Sequence, residues 1–412
     1  MRDCTSMHPL PVPLPVGFHA HVANIGIKDD TDDFVVVASD TPCTSVAMFT
    51  RSRFAGPSVV VSRENAASGH LRATVVVSKN ANVATGAEGL ANAHELGRGA
   101  ASAVGCAEHE VLVTSTGVIG RQYPMDRVRA HLDLLAGAAA PTLDQNGLFT
   151  TRDAHAVATA MMTTDTRAKT ASATVACTDT DGRSATATVV GVAKGVGMIE
   201  PDMATMLAFV FTDADVPAQT LSDSFRTTVE RTFNSLSVDT DTSTSDTAAI
   251  LANGRAGAVD PEEFAAALQQ VCLDLTRQLA NDGEGATKLL VVEVHGARDD
   301  GQAKRVAKAV LNSPLVKTAV HGADPNWGRV AMAIGKCSDD TDIDEELVVI
   351  RFGEAEVYPT PIGDAELAEL ESYLGGDEVL ISIDLGIASG TWSVYGCDLS
   401  DGYVRINADY TT

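Results

Sequence analysis

Short Val-rich apolar runs alternate with longer Ala-rich segments along the first half of the chain. Val-rich runs bounded by turn residues indicate strands, and they occur at Phe34–Ser39, Ser58–Ser62, Ala73–Ser78 and Glu110–Thr114. Apolar residues at helical spacing indicate helices, and they occur at Ala84–Gly105 (with a break near Gly97 and Gly99), Met125–Ala136 and Asp153–Met161. The alternation predicts a protein of mixed strands and helices.

A predicted hairpin and a buried strand lie near the middle of the chain. Ala171–Cys177 and Ala185–Val192 are the two arms of the hairpin, and Thr205–Phe211 is the buried strand. Further predicted helices are Ala218–Phe233, Pro261–Leu279 and Asp364–Leu374, and further strands are Leu289–Val294, Leu347–Phe352, Val379–Leu385 and Trp392–Tyr395. We therefore expect an α/β (α+β) fold with one domain at 1–280 and a second α/β domain at 281–412.

The composition is that of a globular protein. The chain has 412 residues, of which 45% are hydrophobic, and this is enough for a substantial core. A membrane helix needs about 18 consecutive apolar residues, and the apolar stretch Leu10–Val16 is interrupted by three prolines. We expect no membrane span, no secretory signal and a cytoplasmic location.

Acidic residues dominate the charge. There are 55 Asp and Glu against 30 Lys and Arg, so the surface repels phosphate backbones and nucleic acid is not an expected partner. Such a surface suits a high-salt cytoplasm, where salt screens the repulsion; an acidic enzyme of a low-salt cytoplasm is the alternative. The seven cysteines include no CxxC spacing, so neither a disulfide framework nor a metal site is expected.

Two glycine- or aspartate-rich segments resemble ligand-binding loops but lack residues that those loops require. Gly195 and Gly197 begin like a nucleotide loop, but the last glycine is missing and no Lys-Ser or Lys-Thr follows. Asp239 and Asp241 imitate the first ligands of a calcium loop, but Thr244 replaces its glycine and Ile250 its final glutamate. Neither a nucleotide nor calcium is predicted.

The bond between Ala204 and Thr205 joins a Gly-rich approach to an apolar run. If the Thr205 hydroxyl adds to the Ala204 carbonyl and the resulting ester hydrolyses, Thr205 gains a free α-amine that can act as its own base. The oxyanion then needs fixed donors, and the Thr116 hydroxyl with the Gly117 N–H are the candidates. From the residues alone, the alternative is a plain β-branched strand residue.

Four further polar residues have both a functional and a structural interpretation. Lys194 beside glycines is a candidate cation for a substrate carboxylate or a solvated strand end, and Glu284 is a candidate anion or a turn carboxylate. Thr163 and Thr164 are candidate contacts or helix-end caps. The segment His321–Arg329 fits a rigid packed loop at least as well as a catalytic role.

Eight segments together resemble the ornithine acetyltransferase (glutamate N-acetyltransferase) family of arginine biosynthesis, and they follow in that family's order. The segments are Ser115-Thr-Gly-Val-Ile-Gly120, Met162-Thr-Thr-Asp-Thr166, Ala193-Lys-Gly-Val-Gly-Met-Ile199, Met203-Ala-Thr-Met-Leu207, Asp239–Thr247, Gly283-Glu-Gly-Ala-Thr-Lys288, Gly322-Ala-Asp-Pro-Asn-Trp-Gly-Arg329 and Tyr403-Val-Arg-Ile-Asn-Ala-Asp-Tyr-Thr-Thr412.

The resemblance implies a layered α-β-β-α sandwich of the self-cleaving Thr-nucleophile type with an additional C-terminal α/β domain. It implies cleavage between Ala204 and Thr205 into two chains that stay together as α2β2. Thr205 would be the nucleophile, and Thr116 with Gly117 the oxyanion hole. The substrate contacts carried over by position are Thr163, Lys194, Thr205, Glu284, Asn407 and Thr412.

The implied reaction moves acetyl from N2-acetyl-L-ornithine to L-glutamate through acetyl-Thr205, with no cofactor and no metal. Three alternatives remain open. A bifunctional form would also use acetyl-CoA, and a related self-cleaving aminopeptidase or amidase would pass the acyl group to water. A non-catalytic binding protein would remain one intact chain. The sequence identifies neither the general acid for the leaving amine nor which of Thr163 and Thr164 contacts substrate.

Overall fold

The computed structural model describes residues 11–27, 29–137, 143–145, 147–200 and 206–409. Within these ranges the strands, in chain order, are β1 (Phe18–Ala23), β2 (Phe34–Phe49), β3 (His70–Val77), β4 (Val111–Ser115), β5 (Lys169–Thr178), β6 (Ser184–Lys194), β7 (Leu207–Asp215), β8 (Leu236–Ser237), β9 (Thr247–Val259), β10 (Leu289–Ala297), β11 (Val349–Phe352), β12 (Ala355–Tyr358), β13 (Glu378–Asp384) and β14 (Gly390–Cys397).

The α-helices alternate with these strands and share the same described ranges. They are α1 (Pro57–Ala66), α2 (Gly86–Val104), α3 (Met125–Gly137), α4 (Ala154–Met161), α5 (Ala218–Arg231), α6 (Pro261–Asn281), α7 (Asp300–Leu311), α8 (Pro314–His321), α9 (Trp327–Gly335), α10 (Asp364–Leu374) and α11 (Asp401–Asp409). None of these helices is both long and apolar enough to cross a membrane.

The first sheet has the strand order β4-β3-β2-β9-β5-β6-β7, with β1 paired to β2 and a further pairing of β7 with β9. The long strand β2 pairs with β1 and β3 along Phe34–Ala38 and with β9 along Thr44–Phe49, on either side of a register shift. Strand β6 runs antiparallel to β5 and β7. The predicted hairpin is therefore present as β5 and β6, and its second arm ends at Lys194.

Three apolar cores give this part of the molecule its layers. One core lies between α2, α3 and the outer face of β2, β3 and β4. A second contains inward residues of β2, β7 and β9 together with α4, and a third packs α5 and α6 against the other face of β6, β7 and β9. Helix, strand, strand and helix layers follow one another, so the predicted α/β sandwich is confirmed.

The second sheet has the strand order β12-β11-β13-β10-β14-β8, with its own core against α7, α9 and α10. Its edge strand β8 comes from the chain segment before β9, where Leu236 pairs with Tyr395, and Trp392 Nε1 donates to Ser235 Oγ at 2.8 Å. The predicted boundary at 280/281 falls on the last residues of α6 and stays a prediction.

Two local predictions in the first half are wrong. Ser58–Ser62 is part of helix α1 rather than a strand, because Pro57 starts the helix and the Ser62 hydroxyl exchanges hydrogen bonds with the Val113 backbone. Helix α2 is not broken at Gly97 and Gly99. A Cβ at Gly97 would lie 3.1 Å from the Val113 side chain, so this glycine allows close packing instead of ending the helix.

Candidate active site

A cavity of about 280 Å³ brings together six of the predicted site residues. These residues come from separate parts of the chain: Thr116 follows β4, Thr163 follows α4, Lys194 ends β6, Glu284 follows α6 and Asn407 lies in α11. Gly117 also lines the cavity. The sequence motifs that were hundreds of residues apart therefore form one concave, polar surface.

Lys194 lies at the centre of this surface. Its side chain is buried, and its Nζ donates to Thr163 Oγ1 at 2.8 Å and to Thr116 Oγ1 at 3.4 Å. An ammonium group can only donate, so both threonine oxygens accept from Lys194. Each hydroxyl hydrogen is thereby left for another acceptor, which is what a donor to an oxyanion requires.

Gly117 occupies a position that only glycine fills without strain. Its φ is +128°, and a Cβ there would collide with the Lys79 backbone. Asn80 and Val118 pair as an isolated parallel bridge beside it. The loop after β4 is thus held against its neighbour, and the glycine allows the Thr116–Gly117 backbone to line the cavity.

Glu284 connects three segments at the rim of the cavity. Its carboxylate accepts from Thr164 Oγ1 at 3.0 Å and from Asn407 Nδ2 at 2.9 Å. Its backbone N–H donates to Val196 O at 2.8 Å. A Cβ at Gly197 would lie 2.5 Å from a Glu284 oxygen, so the second glycine after Lys194 makes room for this carboxylate.

The two adjacent threonines have different neighbours. Thr163 accepts from Lys194, whereas Thr164 donates to Glu284, and both line the cavity. The sequence left open which of the pair contacts a substrate, and the geometry gives each a distinct place.

Asn407 reaches the cavity from helix α11, an element that the apolar pattern of the sequence did not predict. Helix α11 begins at Asp401 and packs against Gly285, whose φ is +70° and where a Cβ would collide with the backbone of Tyr403. The Ser400 hydroxyl donates to Gly285 O at 2.5 Å. Gly285 therefore fixes where α11 starts. Thr412 lies outside the described residues.

Two aspartates flank the segment that contains the predicted cleavage bond. Asp239 accepts from the N–H groups of Met198 and Ile199 at 2.6 and 2.7 Å, and Asp246 accepts from Met206 N at 2.9 Å. Ala204 and Thr205 themselves lie outside the described residues. Met206, the residue after Thr205, is nonetheless anchored by Asp246 immediately before β7, close to the loop 243–245 that lines the cavity.

Asp165 and Asp246 are buried acids that the sequence analysis did not select. Burial raises the pKa of Asp246 well above its usual range, against the opposing hydrogen bond from Met206 and the charge of Lys194. Its Oδ2 has no hydrogen-bond partner among the described residues. Burial also acts to raise the pKa of Asp165, but Lys194 and Lys169 hold that pKa well below the usual range.

A signal for Asp165 was present in the sequence. It lies inside the segment Met162–Thr166, and Lys169 four residues later is one of only nine lysines in the chain. Asp246 likewise lies inside the Thr/Asp-rich segment Asp239–Thr247. What the sequence lacked was the information that these side chains are buried. Among the described residues, no group of three or more His, Cys, Asp or Glu side chains is arranged to hold a metal ion.

The profile of the ArgJ family matches residues 19–412. The glutamate N-acetyltransferase Oat2 of Streptomyces clavuligerus is 56% identical over 404 residues, which cover 97% of this chain and 98% of that protein. The arginine biosynthesis bifunctional protein ArgJ of Rhodococcoides fascians is 53% identical over 401 residues, with 97% of this chain and 94% of that protein covered.

A solved structure of the arginine biosynthesis bifunctional protein argJ of Bacillus halodurans is 42% identical, with a TM-score of 0.46 over 49% of this chain and 98% of that chain. The family match and the identity of the full-length relatives confirm the predicted family and the enzyme class. The chain belongs to the ArgJ family.

Proposed function

We propose that this chain is a self-processing acetyltransferase that moves acetyl from N2-acetyl-L-ornithine to L-glutamate through an ester on Thr205. The observation that carries the proposal is the convergence of Thr116, Thr163, Lys194 and Glu284 on one cavity. The names of the relatives, a glutamate N-acetyltransferase and a protein of arginine biosynthesis, support the same reaction class.

The first step is self-cleavage. The Thr205 hydroxyl adds to the Ala204 carbonyl, the C–N bond breaks in favour of an ester, and water hydrolyses that ester. The products are chains 1–204 and 205–412, and the second begins with a free threonine α-amine. An α-amine has a pKa near ~8, so it can accept a proton at neutral pH.

Acetyl transfer uses the same hydroxyl. Thr205 Oγ attacks the acetyl carbonyl of N-acetylornithine while its α-amine takes the hydroxyl proton, and the oxyanion accepts hydrogen bonds from Thr116 and Gly117. The tetrahedral species collapses, and ornithine leaves with a proton on its α-amine. The amine of glutamate then attacks acetyl-Thr205, which forms N-acetylglutamate and regenerates the threonine.

The charges at the cavity suit both amino acids. Each substrate carries a carboxylate, for which buried Lys194 is a cation in a setting of low dielectric. Ornithine also carries a side-chain ammonium, for which Glu284 is an anion at the rim. We assign Thr163 and Asn407, together with Thr205 and Thr412, to the remaining substrate contacts.

The cleavage step is tested by Thr205→Ala. The variant should give one full-length band on a denaturing gel, where the parent protein gives two bands of similar size that co-elute in gel filtration with the mass of an α2β2 assembly. Thr212→Ala is the matched control, because Thr212 is a buried threonine in the strand β7 that follows the predicted cut, and this variant should still be cut. An uncut parent protein would instead fit a non-catalytic binding protein.

The transfer step is tested by the fate of the acetyl group. With N-acetylornithine as donor, N-acetylglutamate should form much faster than free acetate, and omission of glutamate should stop turnover after one acetyl group per Thr205. Acetate as the main product would identify a self-cleaving amidase instead. Replacing the donor by acetyl-CoA in a parallel assay decides whether this chain is also bifunctional, as the relative from Rhodococcoides fascians is named.

A further inference from the structure

Four charged side chains form a buried network behind the cavity. The Asp165 and Lys169 side chains are completely buried, and those of Asp282 and Lys194 are only 2% and 4% exposed. Lys169 Nζ lies 2.8 Å from Asp165 Oδ1 and 2.6 Å from Asp282 Oδ2, and Lys194 Nζ lies 3.7 Å from Asp165 Oδ2. The two lysines and two aspartates balance in charge, as burial requires.

Asp165 is the member that touches the cavity residues. Its Oδ2 accepts from Thr163 N at 3.1 Å and its Oδ1 from Gly195 N at 2.7 Å, in addition to the ion pairs with Lys194 and Lys169. One carboxylate thus holds the backbone of Thr163 and the backbone directly after Lys194. Thr163 and Lys194 are the two residues that share the 2.8 Å hydrogen bond at the cavity wall.

Asp282 fixes the same network from a third segment. It accepts from Thr166 N at 3.0 Å as well as from Lys169, and it follows α6 two residues before Glu284. The Asp165–Lys169–Asp282 chain therefore connects the segments that supply Thr163, Lys194 and Glu284. None of these three charged residues lines the cavity, so their effect on a substrate must be indirect.

Lys194 experiences charges from four groups. Burial lowers the pKa of Lys194, Asp165 is the strongest influence that raises it, Lys169 lowers it, and Asp246 and Glu284 raise it. The Thr163 and Thr116 hydroxyls complete its surroundings. Because Asp165 outweighs the other anions, its removal should shift Lys194 toward the neutral amine.

We propose that Asp165 is a positioning residue for the acetyl transfer, which holds Lys194 charged and directed at Thr163 and Thr116 so that the cavity receives a substrate carboxylate. The assignment to acetyl transfer rests on the proposed function. The contacts of Asp165 with Lys194, Thr163 and Gly195 stand without it.

Asp165→Asn is the direct kinetic test. The KM for the carboxylate-bearing substrates should rise roughly tenfold or more, the equivalent of one pKa unit at Lys194, with a smaller change in kcat. The alkaline limb of kcat/KM should move to lower pH. Asp33→Asn is the matched control, because Asp33 is fully buried and accepts from the N–H groups of Ile25 and Ile27 without an ion pair to the site. Equal pH profiles for the two variants would overturn the proposal.

A second readout is independent of catalysis. Acetic anhydride at low dose acylates neutral amines, and mass spectrometry of the Lys194 peptide as a function of pH gives the midpoint of its titration. Asp165→Asn should lower that midpoint relative to the parent protein and to Asp33→Asn. If the parent protein shows no acetyl transfer but this shift occurs, the proposed function fails while the positioning of Lys194 stands.

The double variant Lys169→Met/Asp282→Asn covers the case in which Asp165→Asn does not fold. It removes one charge of each sign and leaves Asp165 paired with Lys194 alone. Because Lys169 lowers the pKa of Lys194, the midpoint should then move to higher pH. A midpoint that is unchanged or lower in this variant would contradict the role given to Asp165.

Discussion

The segment 163–169 and the segment 239–247 each bury an aspartate near Lys194, and they differ in how that charge is compensated. Asp165 receives two backbone N–H groups and lies against two lysines. Asp246 receives one backbone N–H, from Met206, and its second oxygen has no hydrogen-bond partner among the described residues. Their pKa values are displaced in opposite directions.

The difference shows that burial alone does not decide the state of an acid. Desolvation favours the neutral form of both groups, and only cations with several donors reverse that preference. At Asp165 the cations are in place, so the charged form is stable and can orient Lys194. At Asp246 the hydrogen bonds from Met206 and Ser243 and the charge of Lys194 do not outweigh burial, so the neutral form is favoured beside the Met206 N–H.

The largest expected effect comes from comparing two single variants, in which either Asp165 or Asp246 is replaced by asparagine. Asp165→Asn leaves two buried lysines with one aspartate, and breaking a buried pair in this way destabilises by about 3–5 kcal/mol. Asp246→Asn replaces an acid that favours its neutral form by a neutral side chain of equal shape, so it should change stability by less than about 1 kcal/mol near pH 4 and should stabilise the protein at higher pH. Thermal melts at one protein concentration measure both, and equal losses would remove the contrast.

The pH dependence of these two variants should run in opposite directions. The pKa of Asp165 is lowered by folding, so its contribution is present above the unfolded value of about 3.9 and is lost as the pH falls below it. The pKa of Asp246 is raised, so its contribution is present below about pH 3.9 and is lost as the pH rises through the folded value.

Melting curves between pH 3 and pH 8 should therefore show opposite pH trends for the stability of the two variants relative to the parent protein. The advantage of the parent protein over Asp165→Asn should shrink toward pH 3. Relative to Asp246→Asn, the parent protein should lose up to about 1.4 kcal/mol per pH unit above pH 4, until Asp246 ionises in the folded state. Parallel curves for the two variants would show that both acids have the same state in the fold.

Regular apolar patterns made much of the fold predictable. Helix α10 matches its predicted bounds, and the hairpin β5–β6 lies where the Val-rich runs placed it. The failures have local causes. Three consecutive valines in α1 favour a strand, but Pro57 and the packing of Ser62 on β4 decide for a helix, and glycines that allow close packing in α2 resemble a break.

The cavity residues were predictable because each lies in a short distinctive motif, whereas the supporting acids were not. Asp165 and Lys169 are four residues apart in sequence, but Asp282 joins them only through tertiary contacts. The charge state of Asp246 depends on the number of donors that reach it, which a linear pattern does not contain. The sequence therefore predicted the family, but it did not predict the electrostatics around Lys194.

A third aspartate, Asp239, extends the comparison of Asp165 with Asp246, and its replacement should have the smallest effect on stability. Asp239 accepts from Met198 N and Ile199 N, so Asp239→Ala should destabilise by about 1–2 kcal/mol through the loss of those bonds. If the chain cuts itself as proposed, this variant should also slow appearance of the two cut bands, because it loosens the approach to the predicted cleavage bond. Asp260→Ala is the matched control: Asp260 accepts from Glu262 N and Glu263 N at the start of α6, away from the cavity. Its loss should cost about 1 kcal/mol and leave the rate of cleavage unchanged, whereas equal cleavage rates in both variants would assign Asp239 to stability alone.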